Sequence, residues 1–259
     1  MKILVIGESC NDIFYYGKVE RLSPEAPVPI LQKIKVVKTM GMAHYVYDMI
    51  SVLKDKDDDV KIITQDYINI NKIRYVDEKS NQKLLRVDEN DYINDNDKFN
   101  ISRYPSSYMK NFDCIVVSDY NKGYLSESDI ELLCDDNNII LDTKKKLGDW
   151  AINVYVIKIN HIEFEENKEW LLNTYLKFDG ILVVTHGSKG TMVYQGKSEW
   201  SFKIENKQEA FDVSGAGDIF LAAFTLKFIK TKNIETSVPY ANKLASISVT
   251  KRGMNYNFK

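Results

Sequence analysis

The sequence predicts a layered α/β fold, and three observations carry that prediction. Six short runs, Ile3–Gly7, Val60–Thr64, Cys114–Ser118, Ile139–Asp142, Val154–Ile159 and Ile181–Thr185, are apolar or nearly so throughout, as strands buried on both faces of a parallel sheet are. Between the first two, Met42, Val46, Met49, Ile50 and Leu53 recur at i, i+4, i+7, i+8 and i+11 and make one apolar helical stripe. Near the C-terminal end, Ile219–Ile229 is apolar almost all round, the mark of a helix buried between others. Strand and helix patterns in alternation imply helices packed on a sheet.

Taken in order, Ile3–Gly7 opens the main sheet; its apolar run is too short for the core of a signal peptide. The stretch Ile13–Val37 interleaves Tyr, Val and Ile with charge and reads as half-exposed strands, as does Lys72–Val87. Both break the alternation and are expected to form a small sheet of their own, a lid outside the main one. The polar segments Asp55–Asp59 and Asp88–Asn100 read as solvated loops. The second is not a calcium loop, because Asp95 and Asp97 lack the glycine and closing glutamate of that motif. Thr191–Gln195 follows Ile181–Thr185 as a hairpin partner across a glycine-containing turn.

The chain of 259 residues, 44% hydrophobic, can bury one large core, so residues 1–259 are expected to form a single domain. A formal net charge of −2 gives no broad footprint for nucleic acid or an anionic membrane, although a local basic pocket for phosphate stays allowed. No stretch approaches the length of a membrane-spanning helix. Cys10, Cys114 and Cys134 are odd in number and widely spaced, which fits reduced thiols in a cytoplasmic protein. His44, His161 and His186 share no zinc-ligand spacing with them.

Chemistry concentrates in Asp212-Val-Ser-Gly-Ala-Gly-Asp218, a glycine-rich turn opening the apolar helix. Gly215, Ala216 and Gly217 offer backbone N–H groups at the positive end of a helix, an anion hole for a phosphoryl group. Asp218, in the first turn, is placed to take a proton from an attacking hydroxyl. The plain alternative is a tight helix start with Asp218 answering the dipole. Val183-Val-Thr-His-Gly-Ser-Lys-Gly190 ends a buried strand in a second glycine-containing turn, and its spacing is not that of a Walker A loop. Asn160-His-Ile-Glu163, at the mouth of another strand, reads either as holder of a hydrated Mg²⁺ or as a capping box.

These motifs in this order resemble the nucleotide-binding half of PfkB sugar kinases, and Asn160-x-x-Glu163 resembles their magnesium motif. Farther upstream, Tyr16-Gly-Lys-Val-Glu-Arg-Leu-Ser-Pro-Glu-Ala-Pro-Val-Pro29, Leu85-Arg-Val-Asp88 and Ser118-Asp-Tyr-Asn-Lys-Gly123 are similar to the heptose 7-phosphate kinase branch of ADP-heptose synthesis. The resemblance implies a ribokinase-like three-layer α/β/α sandwich with a small β-sheet lid, often a dimer contact. It also implies ATP and Mg²⁺ as cofactors and a sugar or sugar phosphate as acceptor. Asp218 then matches the base, Thr185, Gly187, Gly190 and Asn242 the nucleotide side, Asn160 and Glu163 the metal through water, and Asp12 and Gly41 the sugar side. Arg74, Arg86 and Lys122 are candidate cations for a substrate phosphate.

The chain departs from the family pattern at Met42, where a second glycine is usual, and at Tyr45, where an asparagine is usual. Both are expected to line the acceptor pocket. Glu8 stands where Gly-Asp is usual, and a helix-bearing segment between Thr64 and Lys72 is missing. These departures leave open a different acceptor, such as a ketohexose or nucleoside, or a catalytically weak nucleotide- or sugar-binding protein.

Overall fold

The structure, a computed structural model, describes residues 1–135, 138–174, 178–204 and 212–250. Its strands are β1 (Lys2–Gly7), β2 (Ser9–Leu22), β3 (Pro29–Met42), β4 (Asp59–Ile63), β5 (Asn71–Asp77), β6 (Lys83–Glu89), β7 (Cys114–Asp119), β8 (Ile139–Thr143), β9 (Val156–Asn160), β10 (Ile181–Thr185), β11 (Thr191–Gln195) and β12 (Ser198–Phe202). The helices are α1 (Ala43–Leu53), α2 (Ser106–Met109), α3 (Glu127–Cys134), α4 (His161–Glu166), α5 (Lys168–Thr174), α6 (Ala216–Thr231) and α7 (Ile234–Ser248). Among the described residues, no helix is long and apolar enough to cross a membrane.

The main sheet has the order β12-β11-β10-β9-β8-β7-β1-β4. From β10 to β4 the neighbours are parallel, while β11 and β12 return antiparallel as a hairpin extension. Strict alternation shows why its strands had to be apolar throughout. Ile3 and Val5 of β1 enter one core with α1, α6 and α7, while Leu4 and Ile6 enter the other, which includes Ile130 and Leu133 of α3. Helix α6 is apolar on every side because α1 and α7 flank it over the sheet, and Phe220, Phe224 and Phe228 stack along it. Two segments read as solvated loops are partly interior: Ile93 and Phe99 join the second core, and Asp58 is buried against the N-terminal amine and Lys230. Polar composition hid them because a few buried anchors fix a long surface segment.

The second sheet, in the order β3-β2-β5-β6, grows from the carboxyl ends of the first. Strand β1 passes into β2 through Glu8, and β3 passes into α1 through Met42, whose φ is 61°. Residues 64–70 alone carry the chain from β4 to β5. Gln65 secures that crossing by accepting from Ser9 N (2.9 Å) and donating to Ser9 O (2.6 Å), as a neighbouring strand would. Ligands of parallel α/β sheets bind outside the carboxyl ends of the strands, and the second sheet overhangs that edge.

Candidate active site

Gly215 caps α6 in the left-handed region at φ 76°, and a Cβ there would lie 2.6 Å from Cε1 of Tyr45. A side chain is therefore excluded on both conformational and packing grounds. The N–H groups that follow have no acceptor within the helix, and they sit at its positive end. Beneath the turn lies a buried ion pair, Lys158 Nζ to Asp142 Oδ2 at 2.6 Å, with Lys158 Nζ 3.3 Å from the place of a Gly217 Cβ. The pair comes from the carboxyl ends of β9 and β8. An anion held by the turn thus has a cation behind it.

Asp218 is buried, and its Oδ1 accepts a 2.6 Å hydrogen bond from the Tyr120 hydroxyl. Burial pushes its carboxyl up to about 6; Asp142 adds to the rise, and the Tyr120 bond, Lys158 and Lys144 oppose it. Such a carboxyl is ionised at neutral pH yet basic enough to accept a proton. The sign of the pH dependence follows: activity should fall as pH drops through about 6. Tyr120→Phe removes a donor to the ionised form, so the acid limb of kcat/KM should move to higher pH. A limb unmoved in the variant would separate Tyr120 from the base.

Tyr120 is presented by the loop after β7, and Glu8 holds that loop. The wholly buried Glu8 carboxylate accepts from Tyr120 N (2.9 Å) and Lys122 N (2.9 Å). Burial first, and Asp119 second, raise its pKa against those backbone donors. Asp119 in turn accepts from Lys145 Nζ at 3.0 Å and from Thr143 Oγ1. The carboxylate at position 8 is therefore a scaffold for Tyr120.

The second sheet supplies the opposite wall. Asp12 is buried and ion-paired with Arg74 of β5, and a Cβ at Gly41 would meet Asp12 Oδ2, so a larger residue there would have to displace that carboxylate. Met42 and Tyr45 do not form one wall of a pocket. Met42 is packed into the core that holds Leu4 and Ile6, and Tyr45 into the core that holds Ile3 and Val5, its ring against Gly215. The expectation that both line the acceptor site is corrected: the turn of the chain at Met42 sends the two side chains to opposite faces of the sheet. Lys83 of β6 reaches across to Asp212 Oδ1 (3.0 Å) and Ser214 Oγ (2.9 Å), joining the second sheet to the glycine-rich turn.

Of the residues expected on the nucleotide side, Thr185 ends β10, and Gly187 (φ 54°) has open space where a Cβ would be. Gly190 (φ 104°) instead packs against the Phe202 carbonyl. Asn242 is turned inward: its Oδ1 accepts from Thr191 Oγ1 at 2.8 Å, tying α7 to β11. Asn160 and Glu163 form a capping box, with Asn160 Oδ1 accepting from Ile162 N (2.9 Å) and Glu163 N (3.0 Å), and Glu163 Oε2 accepting from Asn160 N (2.8 Å). The other Glu163 oxygen meets Lys144. Asp142 and Lys158 stand beside the glycine-rich turn and escaped the motif reading, and Tyr120, inside Ser118–Gly123, was given no role there. The signal for two of them was a lone charge inside an apolar strand, Lys158 in Val154–Ile159 and Asp142 at the end of Ile139–Asp142.

A family model described as pfkB family carbohydrate kinase matches residues 47–259. The bifunctional protein HldE of Helicobacter acinonychis is 30% identical across 97% of this chain, and that of Campylobacter curvus 26% across 98%. The chain spans 63% and 62% of the length of these two relatives. Ribokinase from Thermotoga maritima superposes with a TM-score of 0.74 at 16% identity, covering 97% of this chain and 94% of its own. Phosphofructokinase-2 from Escherichia coli in complex with potassium superposes at 0.73 and 13%, covering 98% and 94%. Arabidopsis thaliana ribokinase complexed with ribose and ATP superposes at 0.66 and 14%, covering 97% and 93%. The fold is the ribokinase-like sandwich that the sequence predicts.

Proposed function

This chain belongs to the pfkB family of carbohydrate kinases, and from that membership we propose that it transfers the γ-phosphoryl group of ATP to a hydroxyl of a sugar or sugar phosphate. D-glycero-D-manno-heptose 7-phosphate is the leading acceptor. One observation carries the reading: a buried carboxylate, Asp218, in the first turn of α6 directly after Gly215 and Gly217, with its pKa raised to about 6. The acceptor oxygen attacks the γ-phosphorus, its proton passes to Asp218, and the bond to the leaving ADP breaks. Backbone N–H groups of residues 215–217, with Lys158 behind them, answer charge on the transferred group. Asp12, across the cleft on β2, orients the sugar hydroxyls.

Magnesium suits this donor set. Asp142 Oδ1 is buried with no hydrogen-bond partner among the described residues, and the Glu163 oxygens, already bonded once, keep lone pairs for water. Asp142, Asn160 and Glu163 are the residues that would hold the hydrated ion, which would supply neutralisation of nucleotide phosphate charge. Glu163→Gln should raise the Mg²⁺ concentration needed for half-maximal rate and leave acceptor KM nearly unchanged; an unaltered Mg²⁺ requirement restricts the pair to capping. Exposed Leu22, Ile34, Val37 and Leu85 on the second sheet support a homodimer through it.

The deciding experiment is ATP consumption measured over a panel of sugars and sugar phosphates, with the product identified. One acceptor with high turnover fixes the substrate. Consumption that no acceptor raises above background would overturn the kinase reading.

A further inference from the structure

The cations singled out for a substrate phosphate are all neutralised within the chain: Arg74 by Asp12, Arg86 by both oxygens of Asp88, and Lys122 by Asp91. Lys72 is different. It is 8% exposed, yet its ammonium makes no hydrogen bond or ion pair among the described residues. It lies over the Tyr120 ring, whose centroid is 4.9 Å away, and its charge also reaches Asp88 and Cys10. That ring carries the hydroxyl bonded to Asp218. The carboxylates in register with Lys72 on β2 and β6 are Asp12 and Asp88, each committed to an arginine.

The lysine's stem is buried, while its ammonium keeps contact with water and lies against an aromatic face without a paired counter-ion. The arrangement is coherent when a ligand brings the missing negative charge. Resting on the kinase reading, we propose that Lys72 is the specificity-determining residue for the acceptor and receives a phosphate ester on the sugar, so that sugar phosphates are preferred over neutral sugars.

The test compares the wild type with Lys72→Met, which keeps the buried stem, and Lys72→Arg, which keeps the charge. Binding of heptose 7-phosphate and fructose 6-phosphate, each against its unphosphorylated sugar, is measured by calorimetry without ATP, alongside steady-state phosphoryl transfer. The wild type should favour each ester by at least about tenfold, as a charge-assisted contact does. Lys72→Met should erase that preference through KM, each ester losing about tenfold more than its neutral sugar, and Lys72→Arg should keep most of it. Losing an ammonium that has no paired counter-ion should also leave the melting temperature of the ligand-free Met variant nearly unchanged. Equal losses for ester and neutral sugar would place Lys72 at the transferring phosphoryl group and overturn the assignment, as would a wild type without ester preference. Lys72-dependent ester binding without transfer would sink the kinase reading alone. Ester phosphorylation unimpaired in Lys72→Met would sink the assignment alone.

Discussion

Asp218→Asn is expected to lower kcat by about 10²–10⁴-fold, the usual contribution of a general base, while ATP still binds. The amide keeps the shape of the carboxylate, and Tyr120 can still donate to its oxygen, so the turn and α6 stay in place. What is lost is the ability to accept the acceptor's proton. A second readout follows from burial. Because the folded-state pKa of Asp218 is raised from 3.8 to about 6, its neutral form favours folding, and that stability is lost as pH rises through about 6. At pH 8 the ionised carboxylate therefore costs on the order of 3 kcal/mol, less whatever the local hydrogen bonds return. The Asn variant should melt higher than the wild type at pH 8 and close to it at pH 4. Near wild-type turnover on the identified acceptor would remove Asp218 from the role of base.

The largest loss of stability is expected from Lys158→Met. Asp142 Oδ1 already lacks a hydrogen-bond partner among the described residues, and Lys158 is the partner of Oδ2. Cutting the pair leaves a buried carboxylate uncompensated, at about 3–5 kcal/mol. Denaturant unfolding measures that cost directly. The double variant Lys158→Met, Asp142→Leu should recover most of it, since replacing both members of a buried pair by apolar groups is often neutral or better. It should recover no phosphoryl transfer, because the cation behind the glycine-rich turn is still missing. A single variant within about 1 kcal/mol of the wild type would mean that the pair is solvated or redundant.

What could be read in the sequence was what local pattern encodes. Apolar runs gave the central strands because a sheet covered on both sides needs every residue apolar, and the all-round apolar α6 signalled a helix packed between two others. The placing of Asp218 in the first turn of a buried helix was legible because a glycine-rich turn and its helix are contiguous. Tyr120 was not, since its partner lies 98 residues away and only the return of β7 beside β1 brings them together. Lys72 was hidden for a related reason: its setting depends on which carboxylates the neighbouring strands have already taken. Met42 and Tyr45 show a different limit. Position in a motif locates a backbone, but the direction of a side chain depends on local φ and ψ, and at Met42 these change sharply.

The main sheet ends in β12 on one side and β4 on the other, and an open edge is a template on which a second molecule can add a strand. Both edges are short. On β4 the exposed Asp59 and Lys61 alternate with half-buried Val60 and Ile62, and on β12 Ser198, Glu199 and Ser201 face water. An incoming strand would have to desolvate those charges for little apolar contact in return. The same residues that finish the sheet thus protect a chain rich in apolar strands from growing into fibres.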